Sequence, residues 1–168
     1  MEIAQVDSQF PLPDSSFAID TLSKDRQNQY LEFIDSEVDA ALLLCNDLGY
    51  IKWQPTKHKE GVSIARANVE GRNHTAVRGT CNIQASFDEV MNVLITPNTE
   101  AFRHIEGCTN ESEFLDGKVV NVLRPRVAER PNRFACIKWH CIKSLSPSIA
   151  KHRDYVYVEV SFVDVDNG

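Results

Sequence analysis

The stretch Lys151-His152-Arg153-Asp154-Tyr155-Val156-Tyr157-Val158-Glu159-Val160-Ser161-Phe162 decides the fold. Val156, Val158, Val160 and Phe162 share one side of an extended strand and Tyr155, Tyr157, Glu159 and Ser161 the other, because strand side chains alternate with period two. The pattern predicts a half-buried strand, running on to Val165, whose valine face needs a cover. Asp166-Asn167-Gly168 follows, and Asn-Gly is a strong two-residue hairpin signal, so a partner strand is expected where the chain stops.

Working outward, the 168 residues with 42% apolar content suit one domain with a substantial core. A net charge of −6 and a pI near 5.3 argue against a nucleic-acid binder, which needs a basic surface to displace counterions. No apolar run is long enough to span a bilayer, and the first ten residues lack the pattern of a secretory signal. A cytoplasmic chain is expected. The five cysteines form no Cys-x-x-Cys pair and read as reduced thiols. Cys136 and Cys141, five apart on one strand, point to opposite faces and cannot bridge. Sequons at Asn73 and Asn110 carry little weight without a secretory signal.

Residues 1–20, with Pro11 and Pro13 and no sustained periodicity, read as an extended arm whose Phe10, Leu12, Phe17 and Ile19 can dock on the domain of residues 21–168. Ser23 is the expected N-cap of a helix to Asp47, closed by Gly49, with an acidic outer face and its deepest burial at Leu42 to Leu44. Strands are predicted over Ile51–His58, Val62–Asn68 and Thr75–Ala85. Ser86 and Glu89 read as a capping box for a helix with Phe87, Val90, Met91 and Leu94 inward, ended by Pro97. A second short helix carries Phe102 and Ile105 and closes at Gly107. Asp116-Gly117 reads as a hairpin turn, Phe134–Lys143 as a strand, and at least four strands are expected after the helices. No Gly-rich phosphate loop or repeating βαβ pattern occurs, so the prediction is an antiparallel α+β fold.

Val77 to Ile83 running into Ser86-Phe87-Asp88-Glu89-Val90, and Lys138-Trp139 followed after a proline-containing loop by Arg153-Asp154-Tyr155-Val156-Tyr157, resemble START (steroidogenic acute regulatory protein-related lipid-transfer) domains. The chain also looks like the START-like domains that accompany FYVE zinc fingers in multidomain proteins. Similarity of element order covers roughly Ser23 to Gly168. The resemblance implies a helix-grip fold, a curved antiparallel sheet around a C-terminal helix with a lipid in an apolar tunnel. The chain stops before that gripping helix. A C-terminally incomplete domain, or a cavity closed by a partner chain, is therefore expected. The family's Trp-Asp pair is replaced by Ala101-Phe102-Arg103-His104.

The expected function is non-enzymatic binding of a lipid or other apolar small molecule, in sensing or transfer within a membrane-associated protein. Val77, Ile83, Trp139, Val156, Tyr157, Val158 and Val160 are the candidate lining. Arg78 is the candidate head-group anchor, since a guanidinium offers bidentate bonds to phosphate or carboxylate. A solvated, outward Arg78 is the alternative. Arg124, Arg126, Arg130 and Arg133 are candidate contacts to an anionic membrane, each worth about 1 kcal/mol near such a surface. Arg153 and Asp154 read as a structural anchor of their strand. Neither the five histidines nor any motif supplies ligand or nucleophile spacing, so no catalytic residue, metal or cofactor is expected. The alternative function is a protein-interaction module that associates, with itself among others, through its uncovered sheet.

Overall fold

The computed structural model describes residues 9–17, 22–45, 51–69, 75–145 and 151–161. It is an α+β structure with two antiparallel three-stranded sheets and two compact units, Glu32–Ser86 and Met1–Leu31 with Phe87–Gly168. Helix α1 spans Lys24–Cys45. Its first turn is tied by the Ser23 hydroxyl, which accepts from Arg26 N–H at 3.3 Å. Glu32, Asp35, Ser36 and Asp39 are exposed, as their spacing predicts. The deepest burial differs from expectation: Ile34 is 2% exposed, whereas Leu43 is 62% exposed. The positions predicted for the helix end, Asp47 and Gly49, and the turn at Gly71 to Asn73 lie outside the described residues.

In the Glu32–Ser86 unit, β1 (Gln54–Lys59), β2 (Val62–Asn68) and β3 (Thr75–Thr80) pair in that order. The β1–β2 turn is Glu60-Gly61, with φ of 53° and 80°. These left-handed values match the right-handed twist of a two-residue hairpin. Strand β3 ends at Thr80, short of the predicted Ala85, because Thr80 pairs with Ser63 and β2 starts one residue earlier.

The other unit holds α2 (Phe87–Leu94), α3 (Thr99–Thr109), β4 (Phe114–Arg124), β5 (Phe134–Ile142) and β6 (Arg153–Ser161), with sheet order β4-β5-β6. Helix α3 starts at Asn98, whose side chain accepts from Ala101 N–H, and runs past Gly107 to Thr109. Met91 and Ile95 pack on Phe134, Cys136 and Val119, which places α2 on one face of the sheet. Phe87 and Leu94 are exposed, so the buried stripe of α2 is narrower than predicted.

Asp116-Gly117 is not a turn. Both residues lie inside β4, paired with Cys141 and His140. Gly117 is required by packing: a Cβ there would lie 2.6 Å from Phe102 Cε1. The described residues therefore hold three strands after the helices rather than four. Asp116, 1% exposed, accepts from Arg103 Nε at 2.8 Å, Leu12 N–H at 2.7 Å and its own Gly117 N–H at 2.7 Å. It joins β4, α3 and the arm.

The arm is docked. Asp14–Ser16 forms one 3₁₀ turn, Asp14 pairs with Lys118 at 2.6 Å, and Phe17 meets Trp139 edge to face at 4.9 Å. Phe10 stands edge-on to His152. Ile19 lies outside the described residues. The opening strand departs from its predicted half-burial. Val156 is 69% exposed, Val158 and Val160 are half-buried, and Tyr157 and Glu159 on the supposedly solvated face are half-buried too. The reason is Lys138, 1% exposed, whose ammonium donates to Glu159 Oε1 and Thr96 Oγ1, both at 2.5 Å, and lies over the Phe102 ring. A buried ammonium needs such partners. Phe162 lies outside the described residues.

A candidate binding cleft on the first sheet

The Glu60-Gly61 turn sets the register His58↔Ser63, and β2–β3 pairing adds Ser63↔Thr80 and Ala65↔Arg78. Residues directly opposite share a face, and so do residues two apart on one strand. His58, Ser63, Thr80, Ala65 and Arg78 are therefore brought to one side of the sheet. A bulge between Pro55 and Lys57 adds Thr56 to β1, and its hydroxyl donates to Ile64 O at 3.1 Å. Just before β1, Trp53 lies beneath the Arg78 guanidinium, 4.5 Å from ring centroid to Cζ.

These residues line a cleft of about 500 Å³. Arg78 and Trp53 are half-buried, and Trp53 Nε1–H is buried without a hydrogen-bond partner. His58 Nδ1 and Ser63 Oγ are 2.9 Å apart. Among the described residues the lining includes Arg78 and Lys57 but no Asp or Glu. Hydroxyl, indole and guanidinium donors stand beside the apolar surfaces of Trp53, Pro55 and Ala65, a combination suited to an anionic group on an apolar body.

The other residues predicted as lining are not gathered here. Val77, adjacent to Arg78 on β3, faces the other way and is 71% exposed, and Ile83 is 58% exposed beyond the end of β3. Trp139, Val156, Tyr157, Val158 and Val160 belong to the second unit. There Trp139 donates from Nε1 to Asp154 Oδ2 at 3.1 Å and is covered by Phe17. Burial, with the Glu159 carboxylate next in effect, pushes the Tyr157 hydroxyl well above its usual range. His140 stands edge-on to both Tyr155 and Tyr157.

The four arginines differ in exposure and partners. Arg126 donates to Pro131 O at 2.6 Å and Asn92 Oδ1 at 2.9 Å, Arg124 is half-buried, and Arg130 and Arg133 are exposed. Among the described residues no group of three or more His, Cys, Asp or Glu is placed to hold a metal ion, and no helix is long and apolar enough to cross a membrane.

Trp53, Lys57, His58, Ser63 and Thr80 are cleft residues that the sequence does not single out. The two-residue turn at residues 60–61 dictates the pairing of His58 with Ser63. The Trp53–Arg78 stacking carries no local signal. The fold and the cleft thus define an α+β protein with a cationic, aromatic-floored cleft. Comparison with family models, curated proteins and solved structures finds no match to this chain.

Proposed function

We propose that this chain is a non-enzymatic binding module for an amphiphilic small molecule, a lipid among the candidates, with its anionic group held at Arg78. The observation that carries the reading is the Arg78 guanidinium stacked on Trp53 in the cleft. Stacking orients the guanidinium plane, whose edge is the part that makes bidentate bonds, and each methylene of the ligand's apolar part that leaves water contributes about 0.8 kcal/mol. The START-like, helix-grip reading is part of this proposal, supported by the order of one helix, three strands, two short helices and further strands. Peripheral contact with an anionic membrane, supported by the exposure of Arg130 and Arg133, belongs to it as well. Organic extraction of the purified protein followed by mass spectrometry tests the function. A stoichiometric anionic amphiphile, lost or replaced in Arg78→Ala, is the expected result; an identical profile in both proteins overturns the anchor.

A second reading, a protein-interaction module, is favoured by β6. Its one neighbour among the described residues is β5, and it exposes Val156 at 69% and Tyr155 at 42%. Such an edge is a template for another chain. Self-association weakened by Val156→Lys is its signature in sedimentation.

A further inference from the structure

The arm crosses the second sheet on a surface formed by β4 and β5. The hydrogen bonds of Trp139 to Asp154, and of Asp116 from Arg103 and Gly117, are made within the rest of the fold rather than to the arm. The groove floor is the directly paired couple Lys118↔Trp139, a cation beside an aromatic plane. Upon it lies one 3₁₀ turn, in which Phe17 N–H donates to Asp14 O at 3.1 Å. Residues three apart eclipse in this geometry, so Asp14 and Phe17 come to the same side. The carboxylate takes the ammonium, and the ring takes both Trp139 and Lys118, the latter 4.5 Å from its centroid. Pro13 begins the turn with φ of −67°.

The hold is light. Pro11, Pro13, Asp14, Ser15 and Ser16 are exposed, and Leu12 N–H supplies the hydrogen bond to Asp116. The arm thus resembles a short ligand resting on a preformed site rather than a strand of the sheet.

We propose that the Lys118–Trp139 groove is a recognition surface for a peptide segment carrying a carboxylate and an aromatic ring three residues apart after a proline, and that residues 9–17 occupy it in cis. Release of the arm deprives the Lys118 ammonium of its Asp14 partner, so the vacated surface favours an acidic over a neutral segment. The aromatic position adds specificity through the ring faces of Trp139.

The probe is a fluorescently labelled peptide of residues Gln9–Phe17, titrated against the full chain and against Asp14→Ala/Phe17→Ala by anisotropy. Binding to the double variant about tenfold tighter than to the unmodified chain is expected, because an occupied site lowers apparent affinity by its vacant fraction. Adding Lys118→Ala to the variant should abolish that binding. Equal binding to both chains, or none to either, overturns the proposal. Hydrogen exchange on the unmodified chain gives an answer free of folding defects. The Leu12 amide should exchange at least about a hundredfold faster than the amides of β5, and protection equal to theirs makes the arm an integral part of the fold and refutes the idea. Dimerisation that the double variant loses would mark exchange of arms between two copies and also count against a separate peptide partner.

Discussion

A Cβ on Gly117 would meet Phe102 Cε1 at 2.6 Å, Phe102 Cδ1 at 3.1 Å and Phe114 Cε2 at 3.2 Å, all atoms of rings packed at the junction of α3 and β4. Gly117→Ala should therefore destabilise by roughly 1–3 kcal/mol in chemical denaturation, as overpacking does. Gly107, inside α3 with nothing within 4 Å of an added methyl, is the control: Gly107→Ala should stabilise by up to about 1 kcal/mol. Lys138 offers a second contrast. Glu159→Leu leaves a 1%-exposed ammonium with Thr96 and the Phe102 ring, at a cost of roughly 3 kcal/mol. Lys138→Met leaves Glu159, whose side chain is 28% exposed and partly hydrated, and should cost less. Equal losses in thermal or urea unfolding would mean that the pair is not a buried charge centre.

Among the elements, the arm has the most distinctive expected behaviour. The hydrogen bond and charge of Lys118, with a smaller effect of Arg103, hold the Asp14 carboxyl below its ordinary value of 3.8. A depressed carboxyl pKa stabilises the docked state above the ordinary value, and that contribution is lost as pH falls through the docked one. Trp139 emission in a Trp53→Phe chain should stay constant from neutral pH down to about 4, then report undocking at lower pH. Asp14→Asn should remove that acid step, and a step unchanged in Asp14→Asn would assign it to another group. Elements with local signals were legible in the sequence: Ser23 as a helix start, Val62–Asn68 as a strand, and the existence of β6, though not its alternation of burial. Asp116-Gly117 misled because its composition is that of a turn, while its actual role depends on Phe102 and Arg103, more than ten residues away in the chain. The burial of Lys138 was hidden for the same reason. Its partners Thr96 and Glu159 come from the segment between α2 and α3 and from β6, and only tertiary packing joins them.

For the whole molecule, the candidate site was legible in part. Arg78 was recognisable as a candidate anchor, whereas the pairing of His58 with Ser63 rests on the Glu60-Gly61 turn geometry that the structure supplies. The grouping of Val77 and Ile83 with Arg78 does not hold, since adjacent strand residues face apart and β3 ends at Thr80 when β2 can no longer pair with it. The valine face of β6 did call for a cover; the arm shields the neighbouring Trp139, and Val156 stays exposed. Arg78 and Trp53 give the proposed function its most direct test, because the ring beneath the guanidinium is a built-in reporter. In a Trp139→Phe chain, titration with a single-chain amphiphile bearing a carboxylate or phosphate should change Trp53 emission saturably. Arg78→Ala should weaken that binding about tenfold or more, the loss of a charge-assisted bidentate contact, whereas an uncharged amphiphile of equal length should bind both chains alike. Saturable binding of the anionic amphiphile that is indifferent to Arg78→Ala, or no response of Trp53 at all, would contradict the proposed function.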